Sequence, residues 1–111
     1  MSTKRIILAG HDTEQTDRLI LPLCAESDRY AVCVVRDGAG LLSAIRDERA
    51  HAAIVCDDLP DYQPDELLNL APEQWLTCPA IVISRSSEQD DAVRCFRAGA
   101  ADYLPLAEAE V

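Results

Sequence analysis

The sequence predicts an α/β fold, a doubly wound parallel sheet of five strands with helices on both of its faces. Short apolar runs alternate with helical patterns along the whole chain, which is the arrangement that builds βαβ units. The runs are continuously apolar, as in parallel strands that are buried on both faces. The length of 111 residues suits one domain with a real core. Right-handed crossovers between the strands then give the doubly wound sandwich.

The five predicted strands are short segments, rich in aliphatic residues and bounded by polar or turn-forming residues. In chain order they are Lys4–Ala9, Tyr30–Val35, Ala52–Cys56, Ala80–Ser84 and Asp102–Pro105. The third strand is followed at once by two carboxylates, Asp57 and Asp58, and shortly afterwards by Pro60. Because ligands bind at the carboxyl ends of the strands in open parallel sheets, these acids are the first candidates for a functional site.

The first two connections are predicted to be helical. The first helix begins at Asp12 or Thr13, either of which can cap its free N–H groups. Pro22 lies inside the helical pattern and removes a backbone donor, so we expect a kink or a short helix there. The second helix opens at Asp37 and Gly38 and ends in a basic last turn.

The third and fourth helices lie on either side of the fourth strand. Pro64 suits the first turn of the third helix, which should end near Pro72 and leave a loop that contains Trp75. The fourth helix begins at Ser87. Its predicted core positions are Ala92, Val93 and Phe96. Residues 106–111 are too few for a fifth helix after the last strand, so we expect that helix to be missing or truncated.

Composition argues against several classes of function. The net charge of −10 repels phosphate backbones, so we expect no direct binding of nucleic acid. No apolar run approaches the roughly 20 residues of a membrane span, so we expect no membrane insertion. The five cysteines are scattered and form no Cys-x-x-Cys pair. They favour a reducing, cytoplasmic location over a disulfide framework or a zinc site.

Four segments carry a resemblance to a known family. They are residues 5–12, 53–60, 80–84 and 98–105, and the last contains the Gly-Ala-x-Asp-Tyr-Leu turn. Together they resemble the receiver domain of bacterial two-component response regulators, across essentially the whole chain. The resemblance implies a flavodoxin-like fold with the strand order 2-1-3-4-5. It also implies a regulatory domain of a phosphorelay that is not itself an enzyme.

The resemblance implies a particular set of site residues. Receivers carry an acceptor aspartate at the end of the third strand and an acidic pair after the first strand that helps to bind Mg²⁺. A serine or threonine after the fourth strand and a lysine after the fifth contact the phosphoryl group. Ser84 matches the switch hydroxyl of the family, and Tyr103 matches its switch aromatic.

The sequence departs from the family pattern at most of the other positions. Gly10 and His11 align with the acidic pair, which leaves Asp12 one residue late. Leu106 stands where the lysine is expected, and Lys4 is the only lysine of the chain. Without the metal and the lysine, an acceptor aspartate is only a carboxylate.

The acceptor position itself is ambiguous in the sequence. The family's Asp-x-x-x-Pro spacing, counted back from Pro60, puts Cys56 in the acceptor slot. A slip of one residue selects Asp57 instead, whose side chain alternates to the other face of the strand unless the turn rearranges. Cys56 is interpreted as a structural thiol, because two neighbouring carboxylates disfavour its thiolate form.

These departures leave three interpretations. The first is an atypical receiver that needs no cofactor and works independently of phosphorylation, with Asp57 and Asp58 as a remnant or repurposed site. The alternative is a working phosphoacceptor in which Asp57 receives the phosphoryl group and Asp12, Asp57 and Asp58 hold Mg²⁺. A third is a small nucleotide- or flavin-binding module on the same fold.

The resemblance also indicates partners. Residues 1–111 are predicted to form one receiver-like regulatory domain, the N-terminal part of a longer protein. Its partner is then another protein or its own effector domain. In this family the fourth helix and fifth strand commonly form a dimer face, so a homodimer through these elements is expected. Residues predicted near that contact are Val93, Arg94, Arg97 and Tyr103.

Overall fold

The computed structural model describes residues 3–25, 29–48, 50–84 and 89–105. A single parallel sheet is built from five strands, which are β1 (Lys4–Ala9), β2 (Tyr30–Val35), β3 (Ala52–Cys56), β4 (Ala80–Ser84) and β5 (Asp102–Pro105). Their order across the sheet is β2-β1-β3-β4-β5. The strand bounds and the order 2-1-3-4-5 confirm the fold predicted from the sequence. The prediction of a missing or truncated closing helix falls on residues 106–111, including Leu106, which lie outside the described residues.

Helices cover both faces of the sheet. They are α1 (Thr13–Cys24), α2 (Gly38–Glu48), α3 (Pro64–Leu70), α4 (Gln74–Thr77) and α5 (Gln89–Ala98). The larger core cluster joins α2, α3, α4 and α5 to one face of the sheet. A smaller cluster joins α1 to the other face through Leu19, which packs with Leu8, Cys56 and Ile83. No helix in the described ranges is long and apolar enough to cross a membrane.

The first helix continues past the proline that was expected to kink or shorten it. Pro22 lies inside α1, which continues to Cys24 over 12 residues. Asp12 precedes the helix and accepts a hydrogen bond from the backbone N–H of Gln15 at its Oδ1 atom (3.2 Å). Of the two capping residues considered, Asp12 therefore caps the helix, and Thr13 is its first residue.

A short helix replaces the loop that was predicted around Trp75. The sequence signal ended at Pro72, but Gln74–Thr77 forms the single turn α4. The indole Nε1 of Trp75 donates a hydrogen bond to the carbonyl oxygen of Leu68 (3.0 Å), and the ring is 6% exposed. The burial of this one large ring fixes the turn, which is too short to show helical periodicity in the sequence.

The buried face of α5 also differs from the prediction. Cys95 and Ala98 are its buried residues, whereas Val93 is 38% exposed and Phe96 is 49% exposed. Ala92 is partly buried. The helix therefore turns small residues toward the sheet, and two of the three predicted core positions face outward.

The register of the central strands sets the carboxyl edge of the sheet. Cys56 of β3 lies opposite Ile83 of β4, and the N–H of Asp57 donates to the carbonyl oxygen of Ile83 (3.1 Å). Gly10 continues the ladder beyond β1 by donating to the carbonyl oxygen of Val35 (3.0 Å). Gly10 after β1, Asp57 after β3 and Ser84 at the end of β4 thus lie at the same edge, as a strand-end site requires.

Candidate functional site

Asp57 and Ser84 meet at the carboxyl edge of the sheet. The Ser84 hydroxyl donates a hydrogen bond to the Oδ2 atom of Asp57 (2.8 Å). Ser84 is buried and Asp57 is half-buried, with its Oδ1 atom out of contact with solvent. A hydrogen bond to an ionised carboxylate in such surroundings is stronger than one between neutral groups.

This pair lies at one wall of a cavity of about 340 Å³ between α3 and α5. Tyr103 of β5 lines the same cavity and is half-buried. The remaining lining residues are Gln63, Pro64, Asp65, Glu66, Val82, Asp91, Arg94 and Cys95. The structure therefore brings together Asp57, Ser84 and Tyr103, which the sequence had singled out separately.

The structure separates the two candidates for the acceptor position, Cys56 and Asp57. Its side chain is fully buried in the smaller core cluster, between Leu8, Leu19 and Ile83 and on the side that α1 covers. Successive side chains of a strand point to opposite faces, so Cys56 and Asp57 diverge. Asp57 lies at the carboxyl edge with Ser84, and the match of Cys56 to the family's acceptor slot stays a prediction.

Asp58 is engaged by the loop that follows β1. Its Oδ1 atom accepts a hydrogen bond from the N–H of His11 (3.1 Å), and its Oδ2 atom accepts one from the N–H of Asp12 (2.8 Å). Both oxygens of the Asp58 carboxylate thus accept backbone N–H groups, and the carboxylate of Asp12 caps α1. Two of the three proposed metal ligands therefore have structural bonds of their own.

The residues present do not fit a magnesium ion at this edge. Mg²⁺ takes near-octahedral oxygen ligands at about 2.0–2.1 Å, usually from one or two carboxylates and several waters. Within the ranges that the structure describes, no three His, Cys, Asp or Glu side chains are grouped as a metal site would group them. Asp12, Asp57 and Asp58 share the same edge, but each carboxylate is directed to a different neighbour.

Arg36 is a residue of this edge that the sequence reasoning missed. It follows β2 directly, and its Nη1 atom donates to the hydroxyl of Thr16 (2.9 Å) and to the carbonyl oxygen of Gly10 (3.3 Å). Its position immediately after a strand was the available signal, since every such residue lies at the carboxyl edge. A permanently charged guanidinium therefore adjoins the β1–α1 loop.

A second missed residue, Asp61, connects the loop after β3 to α2. Its two carboxylate oxygens accept hydrogen bonds from the N–H groups of Gly38 (2.8 Å) and Ala39 (3.0 Å). Burial by itself would raise the pKa of Asp61, but these hydrogen bonds outweigh it and lower the pKa below its ordinary value. Asp61 is therefore a charged cap of α2.

Two carboxylates of the cavity wall, those of Asp57 and Asp65, affect the neighbouring thiol of Cys95. Burial raises the pKa of the Cys95 thiol, and the carboxylates of Asp65 and Asp57 raise it further, while Arg94 lowers it. Arg94 is itself ion-paired with Asp91 on the same helix. A thiol with a raised pKa stays protonated at neutral pH and is a poor nucleophile.

No protein-family model matches the chain. Among curated proteins, it is 35% identical over 75 residues to the transcriptional regulatory protein KdpE of Mycobacterium tuberculosis, covering 68% of this chain and 33% of the relative. It is 34% identical over 65 residues to the DNA-binding transcriptional regulator NtrC of Proteus hauseri, covering 59% of this chain and 14% of that protein. The chain thus spans about a third of the length of KdpE.

Solved structures of the same fold are numerous. The signal receiver domain of the response regulator NarL from Mycobacterium tuberculosis has a TM-score of 0.86 at 17% identity, covering 96% of this chain and 86% of that one. A CheY-like response regulator receiver domain from Methanospirillum hungatei has a TM-score of 0.80 at 24% identity, covering 98% of each chain. These structures show the likeness in fold.

Proposed function

Since the chain is a response regulator receiver domain, we propose that it takes part in two-component signalling without phosphorylation of Asp57. It passes its signal by contact with another protein or with an effector domain of its own. It has no catalytic activity and needs no cofactor. The proposal concerns the domain alone, because the curated relatives extend well beyond the part that this chain matches.

The observation that carries this proposal is the double hydrogen bond of Asp58. Its carboxylate joins the loop after β3 to the loop after β1, through the N–H groups of His11 (3.1 Å) and Asp12 (2.8 Å). A carboxylate that accepts two backbone hydrogen bonds has less capacity to bind a cation. The two loops that a metal ion would bridge are therefore joined directly.

The supply of positive charge supports the same proposal. Phosphoryl transfer depends mainly on positioning and on neutralisation of charge by a metal ion and fixed donors. Lys4, the only lysine in the sequence, begins β1 at the opposite edge of the sheet. Arg94 lines the cavity near Asp57, but it is ion-paired with Asp91. Neither residue is placed as a fixed partner for a phosphoryl group on Asp57.

A second candidate function is phosphorylation of Asp57, and one observation favours it. The hydrogen bond between Ser84 and Asp57 (2.8 Å) joins the residue types that match the acceptor and switch hydroxyl of the family. Tyr103 lines the open cavity beside them. Among the described residues, the cation that lines this cavity is Arg94, which is paired with Asp91, so we rank this function second.

The outer face of α5 is the proposed partner surface. Val93 and Phe96 are exposed apolar residues on this helix, and the exposed Arg94 and Arg97 flank them. Because Arg94 is paired with Asp91, Arg97 supplies the positive charge beside the apolar pair, a combination that suits a protein partner. We propose a homodimer through α5 and β5, as the sequence predicted for its fourth helix and fifth strand.

Beryllofluoride with Mg²⁺, a mimic of a bound phosphoryl group, tests the main proposal. Titration of the ¹⁵N-labelled chain should leave the amide signals of Asp57, Ser84 and Tyr103 unchanged. Asp57→Asn removes the acceptor, and Asp65→Asn, in the same cavity wall, is the matched control. A saturable shift that Asp57→Asn abolishes and Asp65→Asn retains would support the phosphoacceptor instead.

A further inference from the structure

The β1–α1 loop has no room for a side chain at its first position. A Cβ atom added to Gly10 would stand 2.4 Å from the Cγ2 methyl of Thr16 and 3.3 Å from the Sγ atom of Cys56. Thr16 is 1% exposed and Cys56 is fully buried, so neither can move aside easily. A carboxylate at position 10, where the family resemblance expects one, is therefore excluded by packing.

The oxygen atoms of this loop already face a cation. Nη1 of Arg36 donates to the hydroxyl oxygen of Thr16 (2.9 Å) and to the carbonyl oxygen of Gly10 (3.3 Å). The Thr16 hydroxyl uses its own proton on the carbonyl oxygen of Thr13 (3.0 Å). These are oxygens of the kind that a hard divalent cation binds, and the guanidinium holds them with one positive charge.

The loop is thus fixed from two directions. Arg36 holds it from the end of β2, and Asp58 holds it from the end of β3 by accepting the N–H groups of His11 and Asp12. Both contacts join strand ends directly, which is the structural role that a bridging metal ion would otherwise have. The guanidinium also repels any additional cation that approaches the same oxygens.

We propose that Arg36 is a built-in cation that holds the β1–α1 loop in place of a divalent metal ion and keeps such an ion away from the oxygen atoms of this loop. Arg36 is a positioning residue, since it acts through the β1–α1 loop. The proposal does not depend on whether Asp57 is phosphorylated, because it concerns metal affinity and the placement of one loop. The beryllofluoride experiment and the one below can therefore fail separately.

The test restores one carboxylate and then removes the guanidinium. His11 is exposed and contributes only its backbone N–H to the bond with Asp58, so His11→Asp is expected to fold. Mn²⁺ affinity is measured by titration calorimetry, with Mg²⁺ as competitor, for His11→Asp alone and combined with Arg36→Ala or Arg36→Lys. We expect Arg36→Ala to raise the affinity at least tenfold and Arg36→Lys, which keeps the charge, to raise it by less.

A control variant tests whether the loss of any positive charge, rather than that of Arg36, raises the Mn²⁺ affinity. Arg46→Ala, combined with His11→Asp, removes the same charge from an exposed position in the last turn of α2, and it should not change the Mn²⁺ affinity. Equal affinities of His11→Asp and His11→Asp/Arg36→Ala, including undetectable binding by both, would overturn the proposal. An equal gain in the Arg46→Ala combination would overturn it as well.

The lack of room for a side chain at position 10 has a test of its own. Gly10→Ala should lower the midpoint of thermal unfolding, because the new Cβ meets the Thr16 methyl at 2.4 Å. Thr16→Ser removes that methyl and keeps the hydroxyl that Arg36 binds. Adding Gly10→Ala to Thr16→Ser should therefore lower the unfolding midpoint by at most half as much as adding Gly10→Ala to the wild-type chain. A loss that Thr16→Ser does not relieve would show that this packing does not close position 10.

Discussion

Three carboxylates in the loop after β3 organise the carboxyl edge, and each binds a different neighbour. Asp57 accepts from Ser84 at the end of β4, Asp58 accepts from the loop after β1, and Asp61 accepts from the start of α2. The acids that first suggested a metal site are therefore used mostly as hydrogen-bond acceptors. At the scale of single residues, Asp58 binds two backbone N–H groups, while Asp57 binds the hydroxyl of Ser84.

Replacement of Asp58 by alanine should destabilise the domain. Two backbone N–H groups would lose their charged acceptor, at a cost of about 1–3 kcal/mol. Asp58→Asn keeps one acceptor oxygen and should lose roughly half as much. The measurement is urea unfolding, with Asp17→Ala on the exposed side of α1 as the matched control. The structural role of Asp58 is refuted if Asp58→Ala and the control have the same unfolding midpoint.

At the scale of elements, α2 shows how the loop fixes a helix. Its first N–H groups are accepted by side chains that precede it or lie elsewhere in the fold. Gly40 donates to the Oδ1 atom of Asp37 (2.7 Å), whereas Gly38 and Ala39 donate to Asp61. The helix start is therefore tied to the strand-end loop, and its stability should follow the charge of Asp61.

The stability contributed by Asp61 should depend on pH in one direction. Its pKa is lowered in the folded chain, so the contribution is fully present above the unfolded value of 3.8 and is lost as the pH falls through the lower folded value. Asp61→Asn should cost about 0.5–1 kcal/mol at neutral pH and progressively less below about pH 4. Urea unfolding of both chains at several pH values measures this. A difference that is constant or grows in acid contradicts the capping role.

The sequence could predict the strands because continuous apolar runs between turn residues leave few alternatives. It missed α4, since a four-residue turn has no periodicity and depends on the burial of Trp75. It also predicted the wrong buried face for α5, where the small side chains of Cys95 and Ala98 are buried and Phe96 is exposed. Both errors come from packing that pattern reasoning does not include.

The candidate site was predictable to a similar extent. The family resemblance singled out Ser84 and Tyr103, and the structure brings them to one cavity with Asp57. The spacing to Pro60 could not show that Cys56 packs in the core while Asp57 lies at the carboxyl edge, because that depends on the pleat of β3. The role of Arg36 could not be predicted, because its side chain contacts Gly10 and Thr16, and the spacing of residues along the chain does not reveal such contacts.

At the scale of the whole molecule, the outer face of α5 exposes the apolar residues Val93 and Phe96 on an acidic domain. If the proposed homodimer forms there, Phe96→Ser should weaken self-association, because Phe96 is the largest exposed apolar side chain of this face. Leu76→Ser on α4 is the matched control, since Leu76 is 85% exposed on a different element. Sedimentation velocity over a range of concentrations gives the measurement. A wild-type chain that stays monomeric at the highest concentration contradicts the dimer.

The central claim is that this receiver signals without a phosphoryl group on Asp57. The most direct test is intact-mass spectrometry of the folded chain after incubation with acetyl phosphate and Mg²⁺, with Asp57→Asn as the reference. We predict the same mass before and after incubation for both chains. A gain of one phosphoryl group in the wild-type chain that Asp57→Asn does not show would contradict the account and identify Asp57 as a working acceptor.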